Sequence, residues 1–539
     1  MEKHYYYDRM HVSTVQELIG TALESFHDKN YCKYFVDGEI VAKTYGEMGD
    51  DIRKIETYIA QTGAKHVGLL GTTSYAWLCV LMACLHSGVP AVPLDVLLPQ
   101  EDLTRLIDRA DVDLLFCDKK FHALSGKLNR DGNRDNNADG NRGSGCRTLC
   151  YLDSDGDDSL SAQMRRHADA PYDKPTIIDK NDCALIVYTS GTTGQAKGVM
   201  LSQGNLAAAA HYSASVVEPI PDSHLLVLLP NNHVYTITII FLTTLFFGRC
   251  LCLNDSIYNT LLNLNRYGID HLVAVPAVVR LIKGQIDSQL EDAGVTSLEA
   301  LPQEQRSTVV EGITEKLGKL RSIVCGGAPL DPSYIHFFKL LGIQLQAGYG
   351  MTEAAPLISS QVENRIDYNR AHSVGRPGVC CGVKTVDGEV WVSGENVMLG
   401  YYKDPEDTAD ILTEDGWLAT GDTGYVDEEG FLYITGRKKN VIILSNGENV
   451  SPEELELLFA DSRRIQNIVV SGNTDLDIIQ AEVQPAAASV DALGAEETKA
   501  LINQEINDKN QSLPLYKQIK LVTFRDQPFE TTTSMKIKR

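Results

Sequence analysis

The run Y-T-S-G-T-T-G-Q-A-K-G at 188–198 gathers three threonines, one serine, unshielded glycine backbone and a single lysine into one short stretch. Groups of this kind, closely spaced, can hold a polyanion: the backbone N–H groups and hydroxyls donate, and the ammonium balances charge. Thr189, Ser190, Gly191, Thr192, Thr193, Gly194 and Lys197 are therefore candidate phosphate contacts. The spacing differs from the common nucleotide loop, because two residues separate Gly194 from Lys197 and Gly198 stands where a metal-binding hydroxyl would be required. Further along the chain lie Y-G-M-T-E at 349–353, T-G-D-T-G at 420–424, G-R-K-K-N at 436–440 and a basic end, T-T-T-S-M-K-I-K-R, at 531–539. Taken singly, Glu353 reads as a solvated turn residue, Asp422 as turn chemistry and the basic end as a solvated tail.

These groups need elements to position them. An apolar run at 183–187 precedes the first loop as a buried strand, and S-Q-G-N at 202–205 opens an alanine-rich helix over 206–215, giving strand, loop, helix. Residues 1–125 alternate helical patterns (14–25, 46–61, 101–110) with short apolar runs (67–70, 91–94, 112–117), which predicts βαβ units around a largely parallel sheet. Residues 126–171 turn rich in Asn, Asp, Gly and Arg and read as a solvated insertion. Asp387-Gly388, flanked by alternating residues over 383–392, predicts a tight hairpin, and a second hairpin spans 424–434. Ser451 followed by Pro452 and by Glu454 starts a helix and with it a new structural unit.

The bulk properties bound the class. A chain of 539 residues with 43% hydrophobic and 22% charged residues can bury a large core, and a formal net charge of −23 opposes non-specific binding to nucleic acid or anionic lipid. The twelve cysteines include no C-x-x-C, and no secretory leader pattern opens the sequence, so reduced thiols and a cytoplasmic setting are expected. The apolar stretches at 75–94 and 234–247 are interrupted or shorter than the ~20 residues of a membrane span. They read as buried core, with peripheral membrane contact through the second left open.

The motif at 188–198 resembles the phosphate loop of the adenylate-forming (AMP-binding) superfamily, and the remaining segments follow in that family's order over nearly the whole chain from about residue 40, the 126–171 stretch excepted. Among its members the chain looks closest to fatty acyl-CoA synthetases. The resemblance implies an α/β fold: a large N-terminal domain (1–436) of mixed and parallel sheets flanked by helices with a β-rich subdomain, then a small mobile α+β domain (437–539). It implies an ATP site in which Gly326, Gly327 and Ala328 pack on adenine, Tyr349 and Gly350 line it with the Tyr349 ring stacked, Thr352 hydrogen-bonds the α-phosphate and Glu353 holds Mg²⁺. Asp422 would accept both ribose hydroxyls with Arg437 beside it, and His233 would stand at the mouth of the acyl pocket. Lys439 would be the hinge, Gly447 would line the channel for CoA, and Lys536 would be the catalytic lysine, although Met535 stands in place of the usual glycine.

The implied reaction is ATP-dependent activation of a carboxylic acid, medium- or long-chain fatty, to an acyl-adenylate, followed by transfer to the thiol of CoA. No aspartate occurs between residues 225 and 249, where amino-acid-activating members usually carry one, so a plain acid is expected. Alternatives are loading of an acyl carrier protein, an aryl-acid CoA ligase, and a degenerate acyl- or nucleotide-binding protein.

Overall fold

The structure, a computed structural model, describes residues 5–126, 148–172, 176–189, 196–295, 297–298, 300–445, 448–473, 476–532 and 537. Buried parallel strands are apolar on both faces, and the runs VGLL at Val67–Leu70 and LLFC at Leu114–Cys117 are buried at every residue. They belong to a sheet that, among the described residues, has seven strands ordered Gly400–Tyr401, Lys197–Ser202, Cys183–Thr189, Ala91–Pro93, Val67–Leu70, Leu114–Cys117 and Thr148–Tyr151. A second sheet has nine strands among those described; from Gln344–Gly350 through Ser322–Cys325, His271–Ala274, His224–Val227 and Cys250–Leu253 to Asn30–Val36 every pairing is parallel. The helix Tyr75–Ser87, capped by Ser74 and ended by the left-handed Gly88 (φ +77°), buries Trp77 through Leu85 against this core. The fold is the mixed α/β architecture expected, with a small C-terminal domain.

Two expectations need correction. The phosphate loop is not followed directly by a helix: Lys197–Ser202 is an antiparallel strand paired Thr189↔Lys197 to Tyr188↔Gly198, and the helix Gln203–Ser215 starts after it on a Ser202/Asn205 capping box. Val199 and Leu201 are buried there, in an apolar run too short to stand out from the glycines before it. The stretch 126–171, expected as a solvated insertion, also holds regular elements. Thr148–Tyr151 forms the edge strand of the seven-stranded sheet, and Leu160–Arg166 is a helix with Leu160 and Ala162 buried; residues 127–147 lie outside the described residues. The apolar stretch after His233 is buried core, as read, and is wound as a π-helix over Thr236–Leu242, with the Thr243 hydroxyl bonded to the Thr238 carbonyl at 2.9 Å. No helix among the described residues is long and apolar enough to cross a membrane.

The hairpin at Asp387-Gly388 forms as read: both residues have positive φ (+49° and +78°) and Val386 pairs with Glu389. Its strands join Trp417–Val426 and Leu432–Arg437 in a four-stranded sheet. Beyond it, Ile465–Asn473, Ile478–Pro485 and Ile519–Phe524 form a small sheet with its own core of Leu455, Phe459, Val470, Val483, Ile502 and Ile506. This unit rests on the helices Pro276–Asp292 and Pro332–Leu340, where the Tyr334 hydroxyl donates to the Ala460 carbonyl at 2.9 Å and Lys283 bridges Asp287 and Asp461 at 2.8 and 3.0 Å.

Candidate active site

Parallel strands present their carboxyl ends to one crevice, and the loops there carry the candidate residues. The strand Ser322–Cys325 runs out into Gly326 and Gly327, and the neighbouring strand Gln344–Gly350 ends in Tyr349 and Gly350. Gly327 has φ +87°, a conformation that only glycine adopts without strain. Gly326 is buried, while Gly327 and Ala328 are exposed at the crevice. A Cβ on Gly326 would lie 3.2 Å from both the Gly348 carbonyl and the Tyr235 hydroxyl, so these two strand ends and the segment carrying His233 meet at one point. Tyr235 in turn lies 3.4 Å from the carbonyls of Ala274 and Val324, which fixes the half-buried His233 segment against the same edge.

Gly350 is a second point of close approach. A Cβ there would fall 1.7 Å from the Pro356 carbonyl oxygen, a backbone atom that cannot rotate away. Gly350→Ala is accordingly expected to cost of order 3 kcal/mol of stability through forced backbone movement, seen as a lower unfolding temperature; an unchanged temperature would show that the loop yields.

Asp422 lies on Trp417–Val426 directly opposite Arg437 of Leu432–Arg437, in antiparallel register. Its carboxylate is 5% exposed; one oxygen accepts the Tyr349 hydroxyl at 2.7 Å and the other meets Arg437 Nε at 3.0 Å. Burial, reinforced by the Asp422 charge, pushes the Tyr349 phenol far above its ordinary range, so Tyr349 is a fixed donor. A carboxylate has about four lone-pair sites, so Asp422 can accept from several donors at once.

Glu353 follows Tyr349 by four residues, in the short turn Thr352–Ala354. Its Oε1 accepts the Tyr401 hydroxyl at 2.8 Å, and the Tyr401 ring lies 5.0 Å beneath the Lys197 ammonium. Tyr401 belongs to an edge strand of the seven-stranded sheet, paired Tyr401↔Val199, so one buried tyrosine connects the loop lysine of one sheet to the acidic turn of the other. Sequence reasoning missed Tyr401. It missed equally the Lys197–Asp407 pair at 2.6 Å and the Glu389 carboxylate, which holds Lys438 at 2.7 Å and the Gly421 N–H at 3.0 Å. The one legible signal was the cluster G-Y-Y-K-D-P-E-D at 400–407, whose partners are far away in sequence.

Thr189, Lys197, Gly326, Gly327, Ala328, Tyr349, Gly350, Thr352, Glu353, Asp422 and Arg437 thus gather where the sheets converge. Lys439 is exposed in the turn Lys438–Asn440, at the junction between the four-stranded sheet and the small domain. Ser190, Gly191, Thr192, Thr193, Gly194, Gly447 and Lys536 lie outside the described residues.

A family model described as "AMP-binding enzyme" matches residues 21–402, and one for the "AMP-binding enzyme C-terminal domain" matches residues 439–539. The chain belongs to the AMP-binding enzyme family. Among curated members, it is similar to long chain acyl-CoA synthetase 7, peroxisomal, of Arabidopsis thaliana, with 27% identity over 99% of this chain and 85% of that one. It is also similar to the indoleacetate–CoA ligase of Aromatoleum aromaticum, with 30% identity over 80% of each chain. Among solved structures, the A domain of carboxylic acid reductase from Segniliparus rugosus, in complex with AMP and a co-purified carboxylic acid, aligns at TM-score 0.81 and 20% identity over 98% of this chain and 92% of that one. That last likeness establishes the shared fold. The fatty and aryl names together leave this family member's acid to be argued from its own residues.

Proposed function

We propose that this AMP-binding enzyme couples ATP to the activation of a fatty acid of medium or long chain and passes the acyl group to CoA, releasing AMP and pyrophosphate. The observation that carries the reading is the Tyr349–Asp422–Arg437 arrangement, with Thr352 and Glu353 a few residues on. It offers a ring, a doubly accepting carboxylate, a hydroxyl and a second carboxylate, which suit base, ribose, phosphate and cation. In the first half-reaction a carboxylate oxygen of the acid attacks the α-phosphorus, the bond to the β-phosphate oxygen breaks and pyrophosphate leaves. Thr352 and Lys536 then stabilise the extra negative charge as it develops, while Lys197 and the loop N–H groups hold the leaving phosphates. In the second half, the small domain turns about Lys439, the CoA sulfur attacks the acyl carbon along the channel at Gly447, and AMP departs.

Mg²⁺ fits this site. Glu353 supplies one oriented carboxylate, and no cage of three or more His, Cys, Asp or Glu side chains exists among the described residues, which matches a cation that arrives on a triphosphate and keeps most of its water. Glu353 would hold it, and when bound it would offset phosphate charge.

The buried, apolar π-helix Thr236–Leu242 beside the His233 segment and the smallness of Gly348 favour a hydrocarbon chain. A Cβ at Gly348 would meet neighbours only at 3.7 Å, so packing does not demand glycine there. All eleven described cysteines are free, in keeping with a cytoplasmic setting. Pyrophosphate release measured across short, medium and long fatty acids and aryl acids should peak on the longer aliphatic acids; a maximum on an aryl acid would overturn the choice of substrate. Lys439→Pro should spare adenylate formation and impair thioester formation, because only the hinge is altered. Unchanged turnover of both halves would remove the domain rotation from the scheme.

A further inference from the structure

Lys197 already has an anion. Its ammonium lies 2.6 Å from Asp407 Oδ2 and over the face of Tyr401, with the lysine side chain only 19% exposed. Asp407 sits in the first turn of the helix Pro405–Ile411, whose cap residue Asp404 accepts the Asp407 N–H at 3.3 Å. The same turn reaches the base of the phosphate loop by a second route: Arg109 donates to the Ala196 carbonyl at 3.0 Å and lies 3.5 Å from Asp404. Proximity to Lys197 holds the Asp407 carboxyl below its usual range, so it is ionised whenever the enzyme works near neutral pH. A phosphate group and the Asp407 carboxylate are therefore rivals for one ammonium.

We propose that Asp407 is a positioning residue that parks Lys197 between turnovers, so that nucleotide entry exchanges a carboxylate for a phosphate on the same ammonium and pyrophosphate departure reverses the exchange. The inference rests on the proposed phosphate role of Lys197. Its physical content is a trade: the tether weakens the hold on pyrophosphate and in return keeps a partly buried lysine paired. Tyr401 keeps the rest of the site in place during the exchange, because its hydroxyl stays on Glu353 and its backbone N–H on the Thr408 hydroxyl at 2.9 Å. Asp407 itself touches neither acid nor nucleotide in this scheme.

The test is calorimetric titration of the full-length enzyme with pyrophosphate, and separately with ATP, in the absence of any acid substrate. For a partly exposed pair, Asp407→Asn is expected to tighten both by about threefold to fivefold, and Asp407→Glu, which keeps the charge, to return affinity toward wild type. In turnover the Asn variant should show stronger product inhibition by pyrophosphate and a lower KM for ATP, with KM for the acid unchanged, a split that general loosening of the fold would not produce. Affinity unchanged or weakened in Asp407→Asn overturns the tether. Lys197→Met separates this from failure of the underlying reading: if it leaves pyrophosphate affinity intact, Lys197 is not a phosphate ligand and both ideas fall. If it weakens affinity while Asp407→Asn does not strengthen it, the tether alone is lost.

Discussion

Lys536→Ala is expected to slow adenylate formation by about 10²–10³, the scale seen when one donor to a charge-developing transition state is removed, while thioester formation from supplied acyl-adenylate stays nearly intact. The asymmetry follows from where charge builds. Attack of a carboxylate on an α-phosphate brings anionic oxygens together, and a cation there is worth most in the transition state, so the loss falls on kcat rather than on KM for ATP. The second half-reaction begins from a mixed anhydride whose phosphate carries less charge and does not need that cation. Ile537, the next residue, forms an antiparallel bridge with Thr531. Single-turnover measurement of each half with the same preparation checks the assignment. Equal loss in both halves would move the catalytic role elsewhere, with Lys538 the first alternative.

Asp422→Ala is expected to reduce kcat/KM for ATP by about 10²–10⁴, since two hydrogen bonds from ribose to a charged acceptor are worth roughly 1.5–3 kcal/mol each. Here the loss should appear mainly as a raised KM, because ribose is held alike in ground and transition states. The substitution also strips the buried Tyr349 hydroxyl of its acceptor and Arg437 of its partner. Asp422→Asn separates these effects: it keeps the volume and one accepting oxygen, so the Tyr349 bond can survive while one ribose contact is lost. An ATP KM within about twofold of wild type in Asp422→Ala would take the ribose away from this residue.

The legible part of this site was local. Asp422 and Arg437 were paired through the family resemblance, and the hairpin that lies between them sets them face to face in register. The hairpin at Asp387-Gly388 was clear from its turn chemistry: two residues of positive φ leave few alternatives. What stayed hidden joins residues far apart. Tyr401–Glu353 spans two sheets that meet only once the whole domain is folded, Lys197–Asp407 joins a strand to the helix beyond a sheet neighbour about two hundred residues away, and an acidic helix start reads equally well as a solvated cap. The π-helix Thr236–Leu242 was hidden for another reason: a stretch buried on every side has no polar face to report its period. The strands Lys197–Ser202 and Thr148–Tyr151 were obscured by neighbouring glycine- and asparagine-rich residues, whose composition outweighs four to six residues of strand.

Mass-spectrometric detection of products when the enzyme is given ATP, Mg²⁺ and a long-chain fatty acid, with and without CoA, tests the proposed activity most directly. The prediction is enzyme-bound acyl-adenylate and pyrophosphate without CoA, then sustained acyl-CoA and AMP once CoA is added. ATP left intact with acids of every class would contradict activation itself; adenylate that forms but is never discharged by CoA would contradict CoA as the acceptor and point to a carrier-protein thiol.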